Sequence, residues 1–261
     1  MDLQLTQKTA LVCGSTQGIG LAAAQELALL GARVILLARN ADKLKAAVAT
    51  LSPVDRPHAT LVADFSDPEA VKATVASYVA ENAPIHILVN NTGGPAGGPA
   101  IKAGVSEFLA AFEQHLVCNH HLVQTLTPGM QSAGYGRIIN VISTSVKAPL
   151  NNLGVSNTIR GAVANWAKTL ANELGQHNIT VNNVLPGATD TVRLQSIAEN
   201  KAAKTGKSVD EVVDAMAQVV PMKRVGKAEE IGSAIAFLAS PAAGYINGIN
   251  LPVDGGRTPS L

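Results

Sequence analysis

Three groups of residues in this 261-residue sequence have types and spacing that serve chemistry. In CGSTQGIG, Gly14, Gly18 and Gly20 follow the apolar run TALVC and lead into a helical pattern, with Ser15, Gln17 and Ile19 among them. Glycines in a strand-to-helix turn let the backbone approach a phosphate, and the helix beyond aims its unpaired N–H groups and positive dipole end at it. A glycine turn alone is weak evidence, because a tight connection also needs glycine. At the end of RVILLA, Ala38 stands where an acid would chelate the ribose hydroxyls of a nucleotide, and Arg39 follows it. The planar, permanently charged fork of Arg39 suits a phosphate instead, with Ser15 and Asn40 as further hydrogen-bond partners. Third, Ser143 ends RIINVIS, and Ser156 and Arg160 follow in SNTIRGAVANWAKTLANEL. A strand-end hydroxyl either satisfies local backbone or stabilises a substrate oxygen that gathers charge. Arg160 keeps its proton at ordinary pH, so it can hold anions or hydroxyls but cannot relay protons.

The elements that must position these groups alternate along the chain. TALVC, RVILLA, ATLVAD, IHILVNN, RIINVIS and ITVNNVLP read as strands, and helical patterns run from Ile19 to Leu30, Ala41 to Leu51 and Pro68 to Glu81. Continuous apolar strands separated by helices predict a parallel sheet covered on both faces, a doubly wound three-layer α/β/α sandwich of the Rossmann type. Asp67, Pro68 and Glu69 read as an N-cap, a first-turn proline and a first-turn acid. No linker or repeat interrupts the pattern, so one domain over 1–261 is expected. Residues 192–220, polar and helical in period around Gly206, are expected to form a lid of two short helices. The net charge of +1 leaves no basic footprint for nucleic acid or a membrane surface, which points to small-molecule ligands. No stretch reaches the roughly 18 apolar residues of a membrane span. Cys13 and Cys118 suggest no disulfide framework, in keeping with a cytoplasmic compartment. His115, His120 and His121 lack a carboxylate or cysteine at ligand spacing, so no metal is expected.

Further motifs complete a family pattern. NNTGG, with Asn91, Thr92 and Gly93, closes the fourth strand; PGATDT, with Pro186, Gly187, Thr189 and Thr191, closes the sixth; Asp64 and Phe65 close the third. With these in order, essentially the whole chain, through PMKRVGKAEEIGSAIAFLAS and GINLPVDGG, resembles the short-chain dehydrogenase/reductase family. Within it the chain looks most like bacterial 3-oxoacyl-acyl-carrier-protein reductases, and its C-terminal third also resembles the bacilysin-pathway reductases, which deliver hydride to a conjugated alkene. The resemblance implies an NADP(H) cofactor, the adenine beside Asp64, the nicotinamide near Thr191, and a homotetramer.

The resemblance assigns the reacting residues one at a time. Ser143 matches the family serine. The family tyrosine falls thirteen positions later, on Ser156, and the family lysine falls on Arg160. The family asparagine falls on His115, twenty-two positions before Arg137. Serine lacks the phenol whose pKa of about 10 a cationic neighbour can lower, whereas the imidazole of His115 titrates near pH 6.5 and could pass a proton through water. Tyr78, Tyr135 and Tyr245 are not placed to substitute. Asn151 and Asn152 are expected to line the pocket, and His120 and His121 to face a subunit interface. Two readings follow: an NADP(H)-dependent oxidoreductase acting on a carbonyl or conjugated alkene, or a catalytically impaired NADP(H)-binding protein that serves as sensor or partner subunit.

Overall fold

A computed structural model describes residues 1–260. Among them are the strands β1 (Thr9–Cys13), β2 (Arg33–Ala38), β3 (Ala59–Val62), β4 (Ile87–Asn90), β5 (Gly136–Val141), β6 (Ile179–Pro186), β7 (Thr189–Asp190), β8 (Gly226–Lys227) and β9 (Asn250–Val253). All but β7 and β8 join one parallel sheet in the order β3-β2-β1-β4-β5-β6-β9. The helices are α1 (Gly18–Leu29), α2 (Ala41–Val48), α3 (Pro68–Glu81), α4 (Val105–Phe112), α5 (Cys118–Ser132), α6 (Gly154–Leu174), α7 (Val192–Thr205), α8 (Val209–Gln218) and α9 (Ala228–Ala239). This is the doubly wound α/β fold that the alternation predicts.

The period of two along each strand divides the core between the faces of the sheet. Val12, Leu36, Val89 and Ile139 point to one side, where Leu27 of α1 and Ile235 of α9 cover them. Leu11, Ile35, Leu88 and Ile138 point to the other, against Val71 and Val75 of α3, Leu122 and Leu126 of α5 and Ala167 of α6. Removing such side chains from water stabilises the fold by about 1.5–3 kcal/mol each. β3 departs from the expected burial on both faces: it alternates, with Thr60 and Val62 exposed, because it is an edge strand with only β2 beside it. Pro252 sits in β9 at the opposite edge, where a missing N–H leaves no ladder bond unmade.

Strand order turns back between β1 and β4, and the carboxyl ends of the strands at such a point are where open α/β sheets bind ligands. α3 begins as the sequence indicates, with the Asp67 side chain accepting from Ala70 N at 3.0 Å. Residues 192–220 do form two helices, α7 and α8, broken at Gly206, which has φ +70°. They share a small core of Ala198, Ala202 and Val212.

Candidate functional site

Every chemistry-bearing loop named above leaves the carboxyl edge of the sheet. At the first, Gly14 and Gly18 have φ of +57° and +56°, backbone that other residues enter only with strain. A Cβ on Gly20 would collide with the carbonyl oxygen of Gly14, and one on Gly14 would stand 2.6 Å from Asn91 O. The Asn91 side chain braces the turn by donating to Cys13 O and Gly14 O at 3.3 and 3.2 Å. Asn91 therefore acts on the glycine turn rather than outward. Helices α2, α3, α7 and α8 are each capped by a side chain, but α1 has no side-chain cap at Gln17 and no acid in its first turn. Its first N–H groups thus have no side-chain partner, and a phosphate is the kind of group that such a helix start accepts.

At the ends of β2 and β3, the Arg39 side chain is 79% exposed and lies 3.8 Å from Asp64. Asp64 is held below the usual carboxylate range, first by the N–H of Ser66, which it accepts at 3.0 Å. Two expected phosphate partners have other duties. Ser15 is fully buried with its hydroxyl toward Leu37 O, so it does not face the cleft. The Asn40 oxygen caps α2 by accepting from Lys43 N at 2.8 Å, which leaves only its amide N–H groups to offer. Phe65 packs against the core beside α5 rather than outward, its carbonyl accepting from Cys118 Sγ.

At the opposite end of the cleft, Ser143 leaves β5 and caps a short turn, its oxygen accepting from Ser145 N at 3.1 Å. Its hydrogen remains available to donate. Ser156 lies in the first turn of α6, half-buried, its hydroxyl making no hydrogen bond among the described residues. Arg160 follows one helical turn later on the same face. The residue is only 8% exposed, and its guanidinium donates from Nη1 to Val141 O at 2.8 Å, under the end of β5. Burial, then the charge of Arg193, lowers its pKa to about 10, so it stays a cation at neutral pH. The loop between Ser143 and α6 is pinned by Asn157, which donates to Leu150 O at 2.8 Å. Asn151 and Asn152 are exposed on that loop, and Asn152 O accepts from Gly98 N at 2.8 Å, tying it to the loop after β4.

His115 sits in a wide π-helical turn, Glu113–Val117, that joins α4 to α5. Such turns often mark functional positions. Here the ring is 1% exposed and its Nε2 has no partner. Burial, then Arg160, pushes its pKa down to about 3, against a backbone hydrogen bond at Gly93. An imidazole held this weakly basic carries no second proton near neutral pH, which sets it apart from the free imidazole that the expected proton relay assumed. The shift has a sign that stability can test. Below pH 6.5 the unfolded chain protonates this histidine while the folded chain does not, so stability is full above 6.5 and falls toward pH 3, by about 1.4 kcal/mol per pH unit. His115→Gln should reduce the slope of the unfolding free energy by up to about 1.4 kcal/mol per pH unit across that window, as read by urea titrations between pH 4 and 7, the rest belonging to groups such as His86. An unchanged slope would mean that the ring is not buried neutral.

After β6, Thr189 is buried with its hydroxyl on Gly187 O, and Thr191 caps α7 by accepting from Leu194 N at 3.3 Å. The Thr191 methyl is the nearest neighbour of Gly18, so the sixth loop closes over the glycine turn, and Pro186 pairs with Val253 of β9 below it. Thr92 stays close to its own loop, its hydroxyl on Gly93 O. Arg193, two residues into this segment, reaches back over Gly94 to donate to Pro95 O at 2.8 Å. No motif singled it out, because only folding brings α7 beside the NNTGG loop.

The tyrosines lie away from these groups. Tyr135 O–H donates to Ala239 O at 2.6 Å, with Lys8 and Arg137 over its ring; Tyr78 is on α3; Tyr245 is fully exposed before β9. His121 pairs with Glu69 of α3 at 3.1 Å and His120 meets the Trp166 ring edge-on. Among the described residues no cluster of ligating side chains suits a metal ion, and no helix is long and apolar enough to cross a membrane.

The same sequence matches the family model for enoyl-(acyl carrier protein) reductase over residues 14–258. It is 30% identical over 260 residues to the NADPH-dependent reductase BacG of Bacillus subtilis, covering 98% of this chain and 100% of that protein. It is 33% identical over 256 residues to the 3-oxoacyl-[acyl-carrier-protein] reductase FabG of Pseudomonas aeruginosa, covering 97% and 98%. Among solved structures, L-sorbose reductase from Gluconobacter frateurii, complexed with NADPH and L-sorbose, superposes with a TM-score of 0.93 at 31% identity over the whole of both chains. A glycine turn under an uncapped helix, a hydroxyl at the end of β5 and a match along nearly the whole length lead to one conclusion: the chain belongs to the enoyl-(acyl carrier protein) reductase family of short-chain dehydrogenases/reductases.

Proposed function

We propose that the protein is an NADP(H)-dependent reductase of small molecules, 3-oxoacyl-reductase-like in its scaffold, whose preferred substrate is a conjugated alkene next to a carbonyl, with simple ketones reduced more slowly. The observation that carries this reading is the absence, among the described residues around Ser143, of a group that can hand over a proton near neutral pH. Ser156 stands in the family's tyrosine position, Arg160 does not release its proton, and His115 is pushed down to about 3. When bound, NADPH supplies hydride. For a ketone the chain must then protonate an alkoxide, and nothing here is suited to that. For a conjugated alkene, hydride adds to the β-carbon, and the carbonyl oxygen needs only hydrogen-bond donors while water protonates the α-carbon. The Ser143 and Ser156 hydroxyls serve that oxygen, and Arg160 keeps a positive charge behind them. NADP(H) suits the site through the open first turn of α1 and the exposed Arg39. A cytoplasmic homotetramer, with α7 and α8 as the lid over the substrate, completes the proposal.

The test is NADPH oxidation against α,β-unsaturated ketones, simple ketones and β-ketoacyl thioesters, with NADPH affinity measured alongside. Turnover on the alkenes supports the reading, faster turnover on ketones overturns the alkene preference, and tight NADPH binding with no oxidation establishes the impaired binding protein instead. The Ser156→Tyr, Arg160→Lys double variant should raise ketone reduction by about 100-fold, the lower end of what a positioned general acid contributes. No gain on any ketone would mean that the pocket does not present a carbonyl to position 156.

A further inference from the structure

Two cations without an ionic partner among the described residues meet where α6 and α7 approach the loop after β4. Arg160 is nine-tenths buried, and a buried cation is ordinarily paired. Yet the ion pairs among the described residues are Arg39–Asp64, Lys72–Glu69, His121–Glu69 and Arg224–Glu230, and none includes Arg160 or Arg193. Instead the two arginines face each other. A Cβ on Gly94 would lie 3.7 Å from a terminal nitrogen of each, so those nitrogens are no further apart than twice that distance. Each guanidinium is anchored by one neutral carbonyl, Val141 O for Arg160 and Pro95 O for Arg193, which holds its position without cancelling its charge. Gly94 between them carries no side chain to fill the gap. Two like charges held this close repel, and among the described residues no carboxylate pairs with either.

We propose that Arg160 and Arg193 together bind an anionic group of the substrate, a carboxylate or a phosphate ester, and so select acidic substrates. The proposal rests on the reading of this cleft as a reductase site and names the substrate class for it. A carboxylate accepting at about 2.8 Å from each side has the reach to bridge the pair. Arg160 is one turn of α6 from Ser156 and bonds the backbone two residues before Ser143, so an anion held there places the rest of the substrate against the two hydroxyls. Arg193 lies in the first turn of α7, so the same anion would tie that helix to the loop after β4. The diphosphate of the cofactor is the other source of anionic oxygen in this cleft, and the experiment separates the two.

The probe is 4-oxo-4-phenylbut-2-enoate, a conjugated alkene with a carboxylate, compared with its neutral carboxamide. Both are titrated by calorimetry into the full-length protein saturated with NADP+, after NADP+ affinity has been measured for wild type, R193Q and R193K. The acid should bind at least tenfold more tightly than the amide. R193Q should remove that advantage while NADP+ and the amide bind within twofold of wild type, and R193K should restore part of it. Equal or absent binding of acid and amide overturns the proposal, and so does an R193Q variant that loses NADP+ affinity as strongly, since the anion is then the cofactor's. NADPH oxidation is read in parallel. Acid-selective binding without oxidation leaves the anion site standing and removes the reductase reading.

Discussion

An Arg39→Asp variant is expected to lose NADPH affinity by about 100-fold, about 2.7 kcal/mol, while NADH affinity falls less than threefold. The ribose 2′-phosphate carries the only difference between the two cofactors, and Arg39 is the cation at the end of β2, where the chain has Ala38 in place of an acid. Hydrogen bonds to charged groups contribute about 1.5–3 kcal/mol, and the new aspartate adds repulsion to their loss. Folding should be untouched. Arg39 is 79% exposed and its 3.8 Å pairing with Asp64 is of the exposed kind that contributes about 0–1 kcal/mol. Fluorescence titrations with both cofactors and a thermal scan measure these effects together. An equal loss for NADH and NADPH would remove Arg39 from the 2′-phosphate site and leave the preference to another group.

Asn140→Ala should lower stability by about 3 kcal/mol, the consequence of leaving two buried polar groups without partners. Four asparagines in register on β4, β5, β6 and β9 form a ladder across the sheet. Asn90 donates to Asn140 at 2.9 Å, Asn140 to Asn183 at 2.9 Å, and Asn183 to Asn250 at 2.8 Å. Removing the amide of Asn140, which is 0% exposed, strands the Asn90 donor and the Asn183 acceptor together. At about 2–4 °C per kcal/mol for a chain of this size, the melting temperature should fall by about 6–12 °C. Asn250→Ala at the half-buried edge breaks one bond and should cost less than half as much. Thermal scans at one fixed protein concentration compare the two, and equal losses would show that the ladder is not the source of the effect.

The strands and first helices were legible because burial on both faces of a parallel sheet writes itself as continuous apolar runs, and because Asp67, Pro68 and Gly206 carry their own backbone chemistry. ATLV was legible as a strand too, but only its place at the sheet edge beyond β2 leaves Thr60 and Val62 in water. The cofactor turn was equally legible, since glycine types and spacing are local facts. Ser15 and Asn40 show the limit. Their types fit a phosphate, but whether a hydroxyl faces the cleft or Leu37 O depends on packing that no motif records.

The sequence by itself determined the alternation that makes the fold, the glycine turn after the first strand, Ala38 and Arg39 at the end of the second, and the spacing that sets Ser156 and Arg160 one helical turn apart. Local spacing suffices for these, because each is a property of one strand end or one helical turn. Tertiary structure alone decided that His115 is buried neutral, that Asn91 braces the glycine turn, that four asparagines meet across the sheet, and that Arg193 faces Arg160 over Gly94. Each of those facts joins residues from separate elements, and the energies that govern them, desolvation and unpaired charge, exist only once the chain has closed around the group.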